Sequence, residues 1–179
     1  MSRRGALPAT VDQMSTDDER DQLHRDGRCD VVVEIPRGSR NKYEASEDGE
    51  IWFDRRLGGP AGFPGDYGYV IGSEGEDGDA LDALVLLEEA TFPGVHMRCR
   101  VIGAFALQVG DIAETKLIVV PETDHHADHL HDLGDLPPAF LDELDAFFTA
   151  YRMLEDVPVD VRERLDRSRA LEVLVAGEG

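Results

Sequence analysis

Cysteine is scarce in this chain. Cys29 and Cys99 are the only two in 179 residues, and they form no Cys-x-x-Cys pattern. A disulfide scaffold is therefore not expected, and two lone thiols suit a reducing compartment, the cytoplasm. Long apolar runs are missing as well: nothing approaches the ~20 apolar residues of a membrane-spanning helix. Arg3 and Arg4 are followed by no apolar segment, so no signal peptide is expected. Positive charge is also short, with 18 Lys and Arg against 38 Asp and Glu, a net charge of -20. Such a surface repels nucleic-acid backbones and anionic membranes, which excludes both as partners. An anionic substrate would have to be met by a local basic pocket or by bound metal ions. No internal repeat is visible, and the length points to one domain.

What is present falls into three parts. Residues 1–28 are polar and aperiodic, Asp17-Asp18-Glu19-Arg20-Asp21 among them, and read as a flexible tail ahead of a single domain over 29–179. From about residue 30 to 121, short runs rich in β-branched and aromatic residues alternate with turn signals. Asp30–Ile35 is stopped by Pro36, Lys42–Ala45 and Ile51–Arg55 flank a Gly49 turn, and strands are expected at Tyr67–Ile71, 83–87, 95–102 continuing over 104–109, and 115–120. This predicts a small, closed or nearly closed antiparallel barrel. Then the period changes. Pro137 and Pro138 open a segment in which Phe140, Leu141, Leu144, Phe147, Phe148, Tyr151 and Leu154 recur at three and four, predicting a helix over about 136–156. A short strand is allowed at 157–161 and a weaker helix at 162–174. The fold class is mainly β with flanking helices, α+β.

The stretch with chemistry in it is Asp77-Gly78-Asp79-Ala80-Leu81-Asp82. In an extended segment Asp77 and Asp79 share a face, and a turn brings Asp82 round to them. Three close carboxylates repel one another unless a cation sits between them, and a hard divalent ion with oxygen ligands, Mg2+ first, answers that need. The plain alternative is an acidic surface loop. An EF-hand is excluded, because its fifth and sixth positions would be Leu81 and Asp82 where a ligand and a glycine are required. Elsewhere Lys42 and Arg55 face each other across the predicted hairpin, Tyr67 lies in a Gly- and Pro-rich loop, Lys116 on a later strand, and Tyr151 with Arg152 on the long helix. Each has a plain structural reading, but their sum in so anionic a chain points to phosphoryl chemistry. His125, His126, His129 and His131, interspersed with Asp124, Asp128 and Asp132, read as a solvated loop, and Cys99 as packing.

On Glu34-Ile35-Pro36, Lys42-Tyr43-Glu44, Asp54-Arg55, Tyr67-Gly68-Tyr69, the acidic hexapeptide, Lys116-Leu117, Asp135-Leu136-Pro137 and Phe147-Phe148-x-x-Tyr151, residues 30–155 resemble the family I soluble inorganic pyrophosphatases. The resemblance implies an OB-type five-stranded β-barrel, Mg2+ as cofactor, pyrophosphate as substrate, and a homo-oligomer, a hexamer in bacterial members. It implies that Asp77 and Asp82 hold the first metal, that Asp82 shares a second, and that Asp79 is the general base on the attacking water. Lys42, Arg55, Tyr67, Lys116, Tyr151 and Arg152 would meet phosphate oxygens, with Glu34 and Glu44 ordering the pocket edge. Four positions depart from the family pattern: Val109 and Glu114 replace aspartates, Phe63 replaces a tyrosine, and Arg152 a lysine. Glu114 remains a metal-ligand candidate, and Asp111 is the candidate substitute for the carboxylate lost at Val109. These departures leave two further readings open. One is a paralogue acting on an organic phosphate or diphosphate ester; the other is a non-catalytic phosphate-binding or interaction protein.

Overall fold

A computed structural model describes residues 13–46, 48–152 and 157–177. Its centre is a ring of five strands: β1 (Arg28–Ile35), β4 (Asp66–Val70), β5 (Asp82–Val85), β7 (Ile112–Pro121) and β6 (His96–Val109), paired in that order and closed by β6 returning to β1. The remaining hairpin, β2 (Asn41–Ala45) with β3 (Ile51–Arg56), stands apart as a two-stranded sheet. The ring is the closed barrel expected from the strand pattern, and the five-stranded OB-type barrel that the resemblance implies, with one difference. The β5–β7 pairing is parallel, with Asp82 in register with Lys116, whereas the other ring pairings are antiparallel.

Two features let so short a chain close. Gly68 of β4 lies so near β1 that a Cβ there would sit 1.8 Å from the Val32 carbonyl oxygen. At Gly103 the register of β6 against β7 shifts, and a Cβ would meet the Leu133 side chain at 2.6 Å. β6 thus runs through Gly103 as one long irregular strand. Before the shift it pairs with β1, and after it with β8 (Val159–Leu165).

Period-two alternation splits the core in two. Cys29, Val31, Val70, Ala83, Val85, Cys99, Val101, Leu117 and Val119, from all five ring strands, pack together with Ala170 and Leu174 of α3 (Arg167–Ala176). The alternate positions Leu84, Ile118 and Val120 join Phe63, Phe105 and the Leu144, Phe147 and Phe148 stripe of α2 (Pro138–Ala150). The helical period over 136–156 therefore marks a real helix, ended at Ala150; Leu154 lies outside the described residues.

Two expectations are corrected. Part of the stretch read as a tail is a helix, α1 (Gln13–Arg25), with Leu23 and His24 buried and packed on β1 and α3. So few buried positions leave no legible period. Residues 162–165 are strand rather than helix: Val159 and Val161 begin an alternation that β6 extends to Leu165. Asp166 then starts α3, its carboxylate accepting from the Arg169 amide at 3.0 Å.

Candidate active site

On the α2 side of the ring lies a cleft of about 720 Å3, bounded by the β2–β3 hairpin, the acidic loop before β5, the start of β7 and the end of α2. It brings together Glu34, Lys42, Glu44, Arg55, Tyr67, Asp77, Asp79, Asp82, Glu114, Lys116, Tyr151 and Arg152. Of the residues singled out from the sequence, Asp111 alone falls outside. It is exposed in the two-residue turn Gly110–Asp111, with Gly110 at φ 57° and Val109 paired to Ile112. So tight a turn has no slack to fold Asp111 back toward the cleft, about 10 Å along the strand from Glu114. Val109 itself is packed into the α2-side core.

The centre of the cleft is the parallel seam between β5 and β7. Lys116 is almost fully buried, and its ammonium contacts the Asp82 carboxylate and Glu114 Oε2, the latter at 2.6 Å. Arg152 reaches the other Glu114 oxygen at 3.5 Å. Burial pulls the Lys116 pKa down, but Asp82, Tyr151 and Glu114 outweigh it and hold the group above its ordinary range, so it is charged. Burial first, then Asp82, pushes the Tyr67 phenol well above its ordinary value. Burial likewise raises Tyr151, against the opposing field of Lys116. Both hydroxyls therefore keep their protons and act as donors. Tyr151 is positioned by α2, where it stacks on Phe147 at 5.8 Å between ring centroids.

The hairpin supplies the second wall. Lys42 and Arg55 are cross-strand partners, as the sequence predicts. Asp54 lies between them, 3.3 Å from Lys42 Nζ and in contact with Arg55. Lys42 also contacts Glu44. Glu34 enters from β1, accepting the Ala45 amide at 2.7 Å. Burial raises its pKa to about 7, partly offset by that amide and reinforced by the Asp82 charge.

The acidic loop forms the rim. Gly78 takes φ 86°, a conformation costly for other residues, and Asp77 Oδ1 accepts the Asp79 amide at 3.1 Å. Asp77 and Asp79 are exposed toward the cleft mouth, while Asp82 sits deeper on the seam. Among the described residues no three such groups converge tightly enough to grip an ion as they stand, and Lys116 engages both Asp82 and Glu114. The donor chemistry nevertheless fits a hard cation. Every candidate ligand is an oxygen, and the six carboxylates Glu34, Glu44, Asp77, Asp79, Asp82 and Glu114 exceed the four cations Lys42, Arg55, Lys116 and Arg152. An anion enters such a cleft only when further positive charge accompanies it.

Sequence reasoning passed over three contributors. Tyr69 and Ser46 line the cleft, and Asp54 bridges its basic pair. Tyr69 was signalled by its i, i+2 relation to Tyr67, which places both on one face of β4. Phe63, without a hydroxyl, is buried between Tyr67 and Phe147 at 5.1 and 5.0 Å. The histidines at 125, 126, 129 and 131 are exposed and do not line the cleft.

The family model described as inorganic pyrophosphatase matches residues 31–178. The chain belongs to the inorganic pyrophosphatase family. An inorganic pyrophosphatase of Streptomyces coelicolor is 48% identical over 127 residues, 70% of this chain and 78% of the relative. One from Corynebacterium glutamicum is 45% identical over 127 residues, 70% of this chain and 80% of the relative. Among solved structures, the inorganic pyrophosphatase of Thermus thermophilus superposes with a TM-score of 0.82 at 35% identity, covering 96% of this chain and 94% of that one. In this member of the family, twelve of the thirteen candidate residues picked out from the sequence line one cleft.

Proposed function

We propose that this chain hydrolyses inorganic pyrophosphate to two phosphates, with Mg2+ as its cofactor. The observation that carries this reading is the charge arrangement of the cleft: a carboxylate rim, a buried Lys116 between two acids, and a basic pair on the opposing hairpin. Asp77, Asp82 and Glu114 would hold the metal. Magnesium bound there supplies positive charge to the substrate and makes water more acidic. The chain's own groups do the rest. Asp79, exposed at the rim, takes the proton from the attacking water. Lys42, Arg55, Lys116 and Arg152 bind and orient phosphate oxygens, and the protonated Tyr67 and Tyr151 donate hydrogen bonds. Together they stabilise the charge that spreads over the departing phosphate.

The setting follows from the same reading. The scarcity of cysteine supports a cytoplasmic protein, and among the described residues no helix is long and apolar enough to cross a membrane. Exposed Trp52, Phe53, Phe92 and Ile112 support association with further copies, a homo-oligomer.

Phosphate release from pyrophosphate, nucleoside triphosphates and sugar or prenyl diphosphates tests the reading. Pyrophosphate should be turned over fastest, and EDTA should stop the reaction. Asp79→Asn should lower kcat by roughly 10²–10⁴-fold while Mg2+ binding persists. Preference for an organic diphosphate would establish the paralogue reading instead, and activity surviving in Asp79→Asn would remove Asp79 from the role of base.

A further inference from the structure

The acidic loop has two sides. Asp82 faces the cleft, while its neighbours Leu81 and Ala83 pack into the other core cluster with α3. The last turn of α3 meets the loop there. Gly177 closes the helix by donating its amide to the Val173 carbonyl at 3.0 Å, and its own carbonyl accepts the Glu74 amide at 2.8 Å. That satisfies one of the carbonyls a helix C-terminus leaves without an intrahelical partner. Gly177 is buried, and a Cβ there would lie 2.7 Å from the Glu74 carbonyl oxygen and 3.0 Å from Leu81 Cδ1. Backbone cannot retreat from such a contact as a flexible side chain can, so the loop itself would shift.

From Glu74 the support runs directly to the carboxylates. The Gly75 amide donates to the Asp79 carbonyl at 2.6 Å, and the Gly78 amide to the Gly75 carbonyl at 3.1 Å. The Leu81 amide donates to Ser73 Oγ, whose hydroxyl donates to the Val70 carbonyl at the end of β4. One end of the loop is thus tied to the barrel through Ser73, and Glu74 is tied to α3. A cleft of about 450 Å3 lined by Glu74, Glu76, Leu81, Thr115 and Val173 lies behind it, so the backbone bond at Gly177 takes the place of a packed wall.

We propose that Gly177 is a positioning residue for the metal-binding loop. The end of α3 holds residues 74–79 at the height where Asp77 can join Asp82 around a cation and Asp79 can reach the attacking water, and a side chain at 177 displaces them. This rests on the Mg2+ reading above. Partners one step behind a metal's ligands typically change its affinity by about 10–100-fold, and Gly177→Ala should fall at the lower end of that range.

The test compares the native chain with Gly177→Ala and with Val175→Ala, a change at a half-exposed position on the same helix end. Amide hydrogen exchange is measured without metal, Mg2+ affinity by calorimetry, and kcat as a function of Mg2+. Gly177→Ala should speed exchange at Glu74, Gly75 and Leu81 and weaken Mg2+ about tenfold. At saturating Mg2+ its kcat should return to within twofold of native, and Val175→Ala should change none of these. A Gly177→Ala protein that melts earlier yet keeps native exchange at 74–81 and native Mg2+ affinity would overturn the proposal. A native chain that binds no Mg2+ would instead sink the metal reading, and the exchange of the loop amides would still decide the role of Gly177.

Discussion

At the scale of single residues, one cleft carboxyl, Glu34, is moved well away from the protonation behaviour water gives it. Its native pKa of about 7 stands above an ordinary 4.5, chiefly through burial. A folded state that binds a proton more tightly than the unfolded chain is favoured at low pH. The Glu34 contribution is therefore whole below about pH 4.5 and is lost as pH rises through 7. With metal chelated, Glu34→Gln should flatten that decline, by up to about 3 kcal/mol on the linkage scale. Urea unfolding of both proteins across pH 4 to 8 checks it, and the Ala45 amide still has an oxygen to donate to. Individual side chains were largely legible in the sequence, because chemistry confines acids, Tyr and Lys to few arrangements around a phosphate. Asp111 was the exception. Its usefulness depended on loop length, and a two-residue turn leaves it at the tip whatever its charge. Tyr69 was on view through its i, i+2 relation to Tyr67, whereas Asp54 had no signal marking it as more than a neighbour of Arg55.

Among the elements, the strands and α2 were readable because their periods are set by local geometry. Their partners were not. Nothing in the runs 82–85 and 112–121 announces that they lie parallel, yet that pairing sets Asp82 beside Lys116. Cys29 and Cys99, far apart in the chain, face each other across β1 and β6 as buried free thiols for the same reason. Burial pushes the Cys29 thiol up to about 12 and raises Cys99 also, so neither is a ready nucleophile. α1 was missed because sparse burial gave too few positions to set a period, and β8 was read as ending at 161 because its alternation is short. Gly68 shows how tightly the elements are fitted. With a Cβ 1.8 Å from the Val32 carbonyl oxygen, Gly68→Ala must part β4 from β1, and should cost at least about 3 kcal/mol, the upper range for overpacking. The midpoint of urea unfolding measures it. The same variant should lose pyrophosphate turnover, since Tyr67 moves with β4.

For the molecule as a whole, a net charge of -20 leaves the folded chain repelling itself. Without divalent ions, raising NaCl from about 20 to 300 mM should shorten the Debye length from ~20 Å to ~6 Å and raise the melting temperature by several degrees. Calorimetric melts with EDTA present check this, and an unchanged melting temperature would show the acids to be compensated locally. The seam between β1 and β6 carries a last consequence. It joins the first strand of the barrel to one far downstream, and the ring it completes encloses the β5–β7 seam that carries Asp82 and Lys116. A polypeptide still emerging from the ribosome owns the basic hairpin and the acidic loop before it has Glu114, Lys116, Tyr151 and Arg152. Such a chain holds only part of the cleft lining, so turnover should begin only when synthesis has passed Arg152.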